Sequence, residues 1–391
     1  MKVAIYGGSF NPPHLGHLAA ANCVNEQLAP DVFLIIPDNI PPHKEMEEGS
    51  PGAQARLEMA RLNFADIENA VISDMEICRS GKSYTADTVA RLRELYPEDE
   101  LVLTIGTDMF LSFEEWYMYP YLLEQCTLAV VSRNENELDV LEEHKAYLEK
   151  EYSARVEILE HEALPMSSNE IRELLRLRMG ADMLSDSVYS DIIRNGYYEA
   201  APELSWLRDK VMPYLSWHRV AHATGCESES VKLAMHYGED AELAAEAAIL
   251  HDITKKLKYD EQLILCREYG IICDKAQLEN EKLLHALTGA ALAADRFGVC
   301  EAVREAIRWH TTGKPDMSIL EKIIYLADYI EPTRDFEGVE KLRELAYENL
   351  DEAMILGLEM GLEELSRCGI EPHKDSAEAL NWYKNRRNEL C

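Results

Sequence analysis

The chain has 391 residues, 47% hydrophobic and 28% charged, long enough for two or three domains with full-sized cores and too apolar for a disordered chain. A formal net charge of -33 excludes a general nucleic-acid surface and an anionic membrane face, because both need clustered Lys and Arg. The start "MKVAIYGGSF" reaches glycine too early for a signal peptide, no apolar run has membrane-spanning length, and nine cysteines without a C-x-x-C pair suit reduced thiols, so a cytoplasmic protein is expected.

In chain order, the first half alternates strand-like apolar runs with helical patterns such as "GAQARLEMARLNFA" and "SYTADTVARLREL". The runs are "VAIY", "DVFLIIP", "NAVISDMEI", "LVLTIG", "CTLAVVS" and "RVEILE". Such alternation predicts an α/β domain with a doubly wound parallel sheet over 1–195. Past Asn195 the strands vanish and helix-period segments follow, among them "ESVKLAMHYG", "DAELAAEAAILHDITKKL", "HALTGAALAADRFG" and "ILEKIIYLADYI". An all-α domain is therefore expected over 205–391, with 196–204 as a linker where Gly196 and Pro202 interrupt the pattern.

The loop "GGSFNPPHLGH" directly after the first strand carries the chemistry of the first half. In open α/β sheets ligands bind beyond the strand ends, where helix N-termini favour anions. Gly7 and Gly8 let the backbone approach a phosphate closely, and His14 and His17 can donate hydrogen bonds to oxygens that gain charge in phosphoryl or nucleotidyl transfer. A proline-stiffened turn or a metal-binding histidine pair are the competing readings. "RSGKSYT" is not a P-loop, since Glu76 stands where its first glycine belongs.

In the second half, His251 and Asp252 are adjacent near the end of the apolar "AAEAAILHDITKK", where a buried charged pair is costly unless something ligates it. His222, His285, His310 and Asp328 recur at intervals typical of separate helices. Imidazole and carboxylate ligands without thiolate suit iron, manganese or zinc. Six such residues exceed the needs of one tetrahedral ion, and a shared carboxylate, most naturally Asp252, could bridge two ions that activate a water and clamp a phosphate.

The first-half motifs, "GGSFNPPHLGH", "PDNIPPHK", "SYTADT", "GTDMFLSFEEW", "VVSR" and "MSSNEIR", resemble in content and order those of nicotinate-mononucleotide adenylyltransferases, a Rossmann-like nucleotidyltransferase family. The resemblance implies that ATP, with Mg2+, and nicotinate mononucleotide give deamido-NAD and pyrophosphate by direct in-line attack. Cations and N–H donors are then needed around the triphosphate, which suits His14, His17, Lys44 and Arg172. It further implies that Ser9 and Phe10 line the ATP site with Gly7 and Gly8, that Asp108 holds the nucleotide, and that Ser167, Ser168 and Arg172 grip the leaving pyrophosphate. Thr85 and Trp116 hold the nicotinate, the latter by stacking. Two departures stand out, Asn11 where the family often has Asp and Asn169 where it usually has Thr, and both keep hydrogen-bonding capacity.

"RVAHATG", "LHDITKK", "LLHALTGA", "WHTTG" and "LADYIEPTRDFEGV" resemble the HD-domain superfamily, most closely the YqeK-type symmetrical diadenosine tetraphosphate hydrolases. That resemblance implies two iron ions, one among His222, His251, Asp252 and Asp328 and the other among Asp252, His285 and His310, with manganese or zinc as alternatives. It also implies that Lys255 and Arg334 neutralise a dinucleoside polyphosphate cleaved to two ADP. The expectation is a bifunctional enzyme that needs neither nucleic acid nor membrane. Its oligomeric state, a homo-oligomer included, stays open, as do a regulatory nucleotide-binding role or another nucleotide substrate for the second half.

Overall fold

The computed structural model describes residues 1–42, 46–132, 137–161 and 164–390, and the chain forms two compact units, Met1–Ala201 and Pro202–Cys391. Lys44, and Arg133 of "VVSR", lie outside the described residues.

In the first unit six parallel strands, β1 (Lys2–Gly8), β2 (Val32–Pro37), β3 (Ala70–Ile72), β4 (Glu100–Gly106), β5 (Cys126–Val131) and β6 (Arg155–Leu159), lie in the order β3-β2-β1-β4-β5-β6. Successive side chains go to two different cores: Val3, Ile5 and Leu103 to one, Ala4, Phe33 and Val102 to the other. With both faces covered, the strands read as continuous apolar runs rather than alternating ones. β3 is shorter than "NAVISDMEI" predicts, because the chain turns after Ser73, with the Cys78 N–H donating to the Asp74 carbonyl at 2.9 Å. The strand order reverses at the β1–β4 pair, so the binding crevice of such a sheet opens beyond Gly7, Gly8 and Gly106.

Part of 196–204 is built into the first unit. Tyr197–Glu199 form a 3-10 turn, and the buried Tyr198 donates its hydroxyl proton to Asn11 Oδ1 at 2.8 Å. Leu204 opens the helix Leu204–Val211 of the second unit.

Among the described residues the second unit contains helices and no strand. The helix Ala241–Leu250 is buried on every side from Ala244 onward, as a helix apolar all round must be. Asp240 caps it by accepting from the N–H groups of Glu242 and Leu243 at 2.8 and 3.2 Å. The helices Trp217–Tyr237, Glu301–Trp309 and Ile319–Ile330 pack on it, and Glu281–Phe297 packs on Glu301–Trp309. Among the described residues, no helix is long and apolar enough to cross a membrane.

Candidate active sites

In the first unit the loop leaving β1 is held from several directions. Phe10 adopts a left-handed backbone (φ 44°), a conformation uncommon for an aromatic residue, and its buried ring leaves so little room that a Cβ on Gly8 would come within 3.1 Å of it. Arg56, fully buried, donates to the carbonyls of Ser9 (2.5 Å), Asp38 (2.7 Å) and Asn39 (2.9 Å) and to Asp38 Oδ1 at 2.9 Å. The sequence reading missed it. Its signal was there: Arg56 shares a helical stripe with the buried Met59, Ala60 and Asn63, where a cation must find partners.

His14 caps the helix Leu15–Leu28 in an unusual reciprocal arrangement: its Nδ1 accepts from the His17 N–H at 3.3 Å, and His17 Nδ1 accepts from the His14 N–H at 3.2 Å. Because a backbone N–H can only donate, both neutral rings must carry their proton on Nε2, the donor form an anionic oxygen requires. The rings lie 3.7 Å apart between centroids. Gly16 makes this packing feasible, since a Cβ there would meet His14 Nδ1 at 3.0 Å and Met166 Cγ at 3.1 Å.

Ser167 caps the helix Ser168–Arg176 by accepting from the Glu170 N–H at 3.2 Å, and Ser168 Oγ donates to the Pro12 carbonyl at 3.0 Å, tying "MSSNEIR" to the histidine loop. Arg172 is buried and engaged: Nε donates to Glu47 Oε2 at 3.0 Å, Nη1 to the Asn11 carbonyl at 2.6 Å, and Nη2 to Asn169 Oδ1 at 2.6 Å and to Glu47 Oε1. Its guanidinium is thus already filled by an internal carboxylate, a partner the sequence did not reveal. Asn169, the departure noted above, serves as one of its acceptors.

The remaining motifs converge on the same edge. Asp108 sits exposed in the first turn beyond β4, and Asn39 donates its N–H to Ser83 Oγ at 3.0 Å, joining "PDN" to "SYTADT". Thr85 opens the helix Thr85–Leu95, whose N-cap Tyr84 makes no side-chain capping bond. Tyr84 meets Tyr117 at 4.8 Å between ring centroids, which sets this helix start beside the half-buried Trp116, itself packed on Phe113 at 5.1 Å.

In the second unit four imidazoles surround one carboxylate. His222 and His251 Nε2 lie 3.6 and 3.4 Å from Asp252 Oδ2; His285 and His310 Nε2 lie 3.3 and 3.7 Å from Oδ1. Asp328 Oδ1 approaches His222 Nε2 at 3.1 Å. Within each pair the Nε2 atoms nearly touch, at 3.3 Å for His222 and His251 and 3.1 Å for His285 and His310.

The opposite edges of the rings explain why. His251 Nδ1 donates to the Ala248 carbonyl at 2.7 Å and His310 Nδ1 to the Ile307 carbonyl at 2.6 Å, so the Nε2 atom of each ring is the one that faces the centre and, in the neutral form a metal ligand requires, offers it a lone pair. His222 Nδ1 pairs at 3.0 Å with Glu331, a fully buried carboxylate that also accepts from the Thr333 N–H at 2.7 Å and hydroxyl at 2.5 Å. In the His222–His251 pair, where both Nδ1 atoms have partners on the outer side, facing Nε2 lone pairs repel unless a cation lies between them, and neither Asp252 oxygen has a partner in hydrogen-bonding geometry. The residues therefore fit divalent metal ions, with Glu331 as the outer partner that orients a ligating histidine.

Burial opposes ionisation of Asp252, yet His251, His285 and His310 hold its carboxyl well below the usual range. Asp328 is likewise held low against burial, chiefly by the His222 contact and also by the charge of Lys255. Burial pushes His285 down to about 4, which keeps it neutral. Cys226 lies 3.6 Å from His222 Nε2, but burial and the acids around it push its thiol up, so it stays protonated. Lys255 Nζ stands 3.1 Å from Asp252 Oδ1 and Arg334 Nη2 donates to Asp328 Oδ1 at 2.5 Å. Glu331, and Arg219 at 2.9 Å from Asp252 Oδ2, escaped the sequence reading.

A parallel sheet with a phosphate-type loop and a helical unit with a histidine–aspartate metal centre define a nucleotidyltransferase fold joined to an HD fold. Residues 5–174 match the cytidylyltransferase-like family and residues 219–333 the HD domain. The first half is 36% identical over 198 residues to a probable nicotinate-nucleotide adenylyltransferase of Carboxydothermus hydrogenoformans, covering 50% of this chain and 98% of that protein. The second half is 44% identical over 149 residues to a symmetrical bis(5'-nucleosyl)-tetraphosphatase of Halalkalibacterium halodurans (38% of this chain, 79% of that one). It is also 37% identical over 176 residues to the Bacillus subtilis protein of that name (44% of this chain, 92% of that one). The chain belongs to both families, nicotinate-nucleotide adenylyltransferases through its first half and HD-domain symmetrical bis(5'-nucleosyl)-tetraphosphatases through its second, and it is an enzyme.

Proposed function

We propose that the first unit transfers the adenylyl group of ATP to nicotinate mononucleotide, releasing pyrophosphate and forming deamido-NAD. The reciprocal N–H contacts at His14 and His17 carry this reading: they fix both rings as Nε2–H donors, able to stabilise negative charge that grows on phosphate oxygens in the transition state. Attack is direct, so no side chain forms a covalent intermediate and positioning supplies most of the rate. Mg2+ would accompany the triphosphate. The uncapped amides at the start of Thr85–Leu95 beside Trp116 suit an acid carboxylate better than a neutral amide.

The second unit, in this reading, hydrolyses diadenosine tetraphosphate symmetrically: water attacks an inner phosphorus, the central P–O–P bridge breaks, and two ADP leave. The carrying observation is the convergence of four Nε2 atoms on Asp252. His222, His251, Asp252 and Asp328 would hold one ion and Asp252, His285 and His310 the other, iron being the metal we favour for this donor set. When bound, the ions supply water activation and charge neutralisation. Lys255 and Arg334, both reaching solvent, hold the phosphate chain, and Glu331 keeps the His222 proton on Nδ1.

Anaerobically iron-loaded protein mixed with diadenosine tetraphosphate, with Asp252→Ala alongside, tests the second unit by chromatography of products. Two ADP, lost in the variant, is expected; ATP plus AMP would refute the cleavage position, and intact substrate the hydrolase reading. For the first unit, comparable turnover of nicotinate and nicotinamide mononucleotides would refute the acid preference.

A further inference from the structure

We propose that Arg219 is a polyphosphate-binding residue of the second unit, one that shares the Asp252 carboxylate with the metal site. The inference deepens the hydrolase reading and rests on it. Three cations meet the two aspartates: Arg219 Nη1 at 2.9 Å from Asp252 Oδ2, Lys255 Nζ at 3.1 Å from Asp252 Oδ1, and Arg334 Nη2 at 2.5 Å from Asp328 Oδ1. The cations are 32%, 27% and 35% exposed, whereas the carboxylates are 1% and 13% exposed. The basic side chains therefore form a solvent-facing rim over a closed acidic centre.

Arg334 is tied down, for its Nε also donates to the Asp328 backbone carbonyl at 2.7 Å. The Arg219 guanidinium has no such tether among the described residues; its polar partner is Asp252. It stands one helical turn before His222 on Trp217–Tyr237, so its base is fixed relative to the metal ligands while its guanidinium can swing. Asp252 Oδ2 faces His222 and His251, where a divalent ion would sit, and the same oxygen faces Arg219. A divalent ion at that point satisfies the carboxylate and repels the guanidinium, which turns toward solvent and meets an incoming anion. Arg219, Lys255 and Arg334 carry three positive charges against the three negative charges of Asp252, Asp328 and Glu331. Each ion bound adds two positive charges, an excess that a polyphosphate chain neutralises. The planar fork of arginine suits bidentate phosphate contact.

Two binding titrations on the full chain test this, using manganese(II) and inorganic tripolyphosphate as probes. In Arg219→Gln, manganese binding should tighten severalfold, because an internal competitor for Asp252 is gone. Tripolyphosphate binding to the manganese-loaded chain should weaken about tenfold, as loss of a charged hydrogen bond does, with Arg219→Lys partly restoring it. A residue that merely supports the fold would weaken both, and that result would overturn the proposal; so would unchanged tripolyphosphate affinity. If the wild type leaves diadenosine tetraphosphate intact while Arg219→Gln still weakens tripolyphosphate, the hydrolase reading falls and Arg219 stands as an anion ligand.

Discussion

A single methyl group at Gly225 should loosen the proposed metal centre without touching any of its proposed ligands. A Cβ there would stand 2.5 Å from Glu331 Oε2 and 3.4 Å from Glu331 Cβ and Cδ. The carboxylate cannot easily move aside, since it is fully buried and held by His222 Nδ1 at 3.0 Å and by the Thr333 N–H and hydroxyl at 2.7 and 2.5 Å. Gly225→Ala therefore forces Glu331 off His222. Overpacking of this kind costs about 1–3 kcal/mol, and losing a charge-assisted hydrogen bond costs about 1.5–3 kcal/mol. Alanine's better helix propensity offsets about 1 kcal/mol. We expect a net loss of about 2–4 kcal/mol, which for a unit of this size lowers Tm by roughly 5–15 °C. Manganese affinity should fall about 10–100-fold, as when an outer partner of a ligating histidine is removed. Calorimetry of the full chain and metal titration read the two effects. Glu331→Gln combined with Gly225→Ala should cost less than the two changes separately, because both act on one contact. Wild-type metal affinity in Gly225→Ala would refute the assignment of Glu331 as the residue that orients His222.

Three further outcomes follow from the same geometry. Gly16→Ala should push the His14 ring off the His17 N–H and lower kcat for adenylyl transfer about 10–100-fold, the scale of a small misplacement; steady-state kinetics with unchanged kcat would remove His14 from the site. Arg56→Lys cannot reach four acceptors and should destabilise the first unit by about 2–4 kcal/mol while raising KM for ATP, since Ser9 loses its anchor. His285, at about 4 in the folded chain against 6.5 unfolded, contributes stability that is fully present above pH 6.5 and lost as pH falls toward 4. The loss approaches about 3 kcal/mol. Urea unfolding of metal-free protein should show it, and His285→Gln should flatten that slope; an unaltered slope would show that His285 is not buried neutral.

The sequence by itself determined the two-part architecture, the order of the strands along the chain and which histidines and aspartates would be candidates for one cluster. A sheet covered on both faces writes continuous apolar runs such as Val3–Ile5 and Phe33–Ile36, and helices around a core write a 3.6-residue period. His251 and Asp252 stood out because charge within an apolar helix is costly without a ligand. What stayed hidden were partners rather than elements. Glu47 on Arg172, Tyr198 on Asn11, Glu331 on His222 and Arg219 on Asp252 are ordinary polar residues in sequence, joined across 125, 187 and 109 positions in the first three cases. Local patterning records which face of an element is buried, because burial acts on each residue separately. Which donor meets which acceptor depends on where distant elements come to rest, and only the tertiary structure decides that.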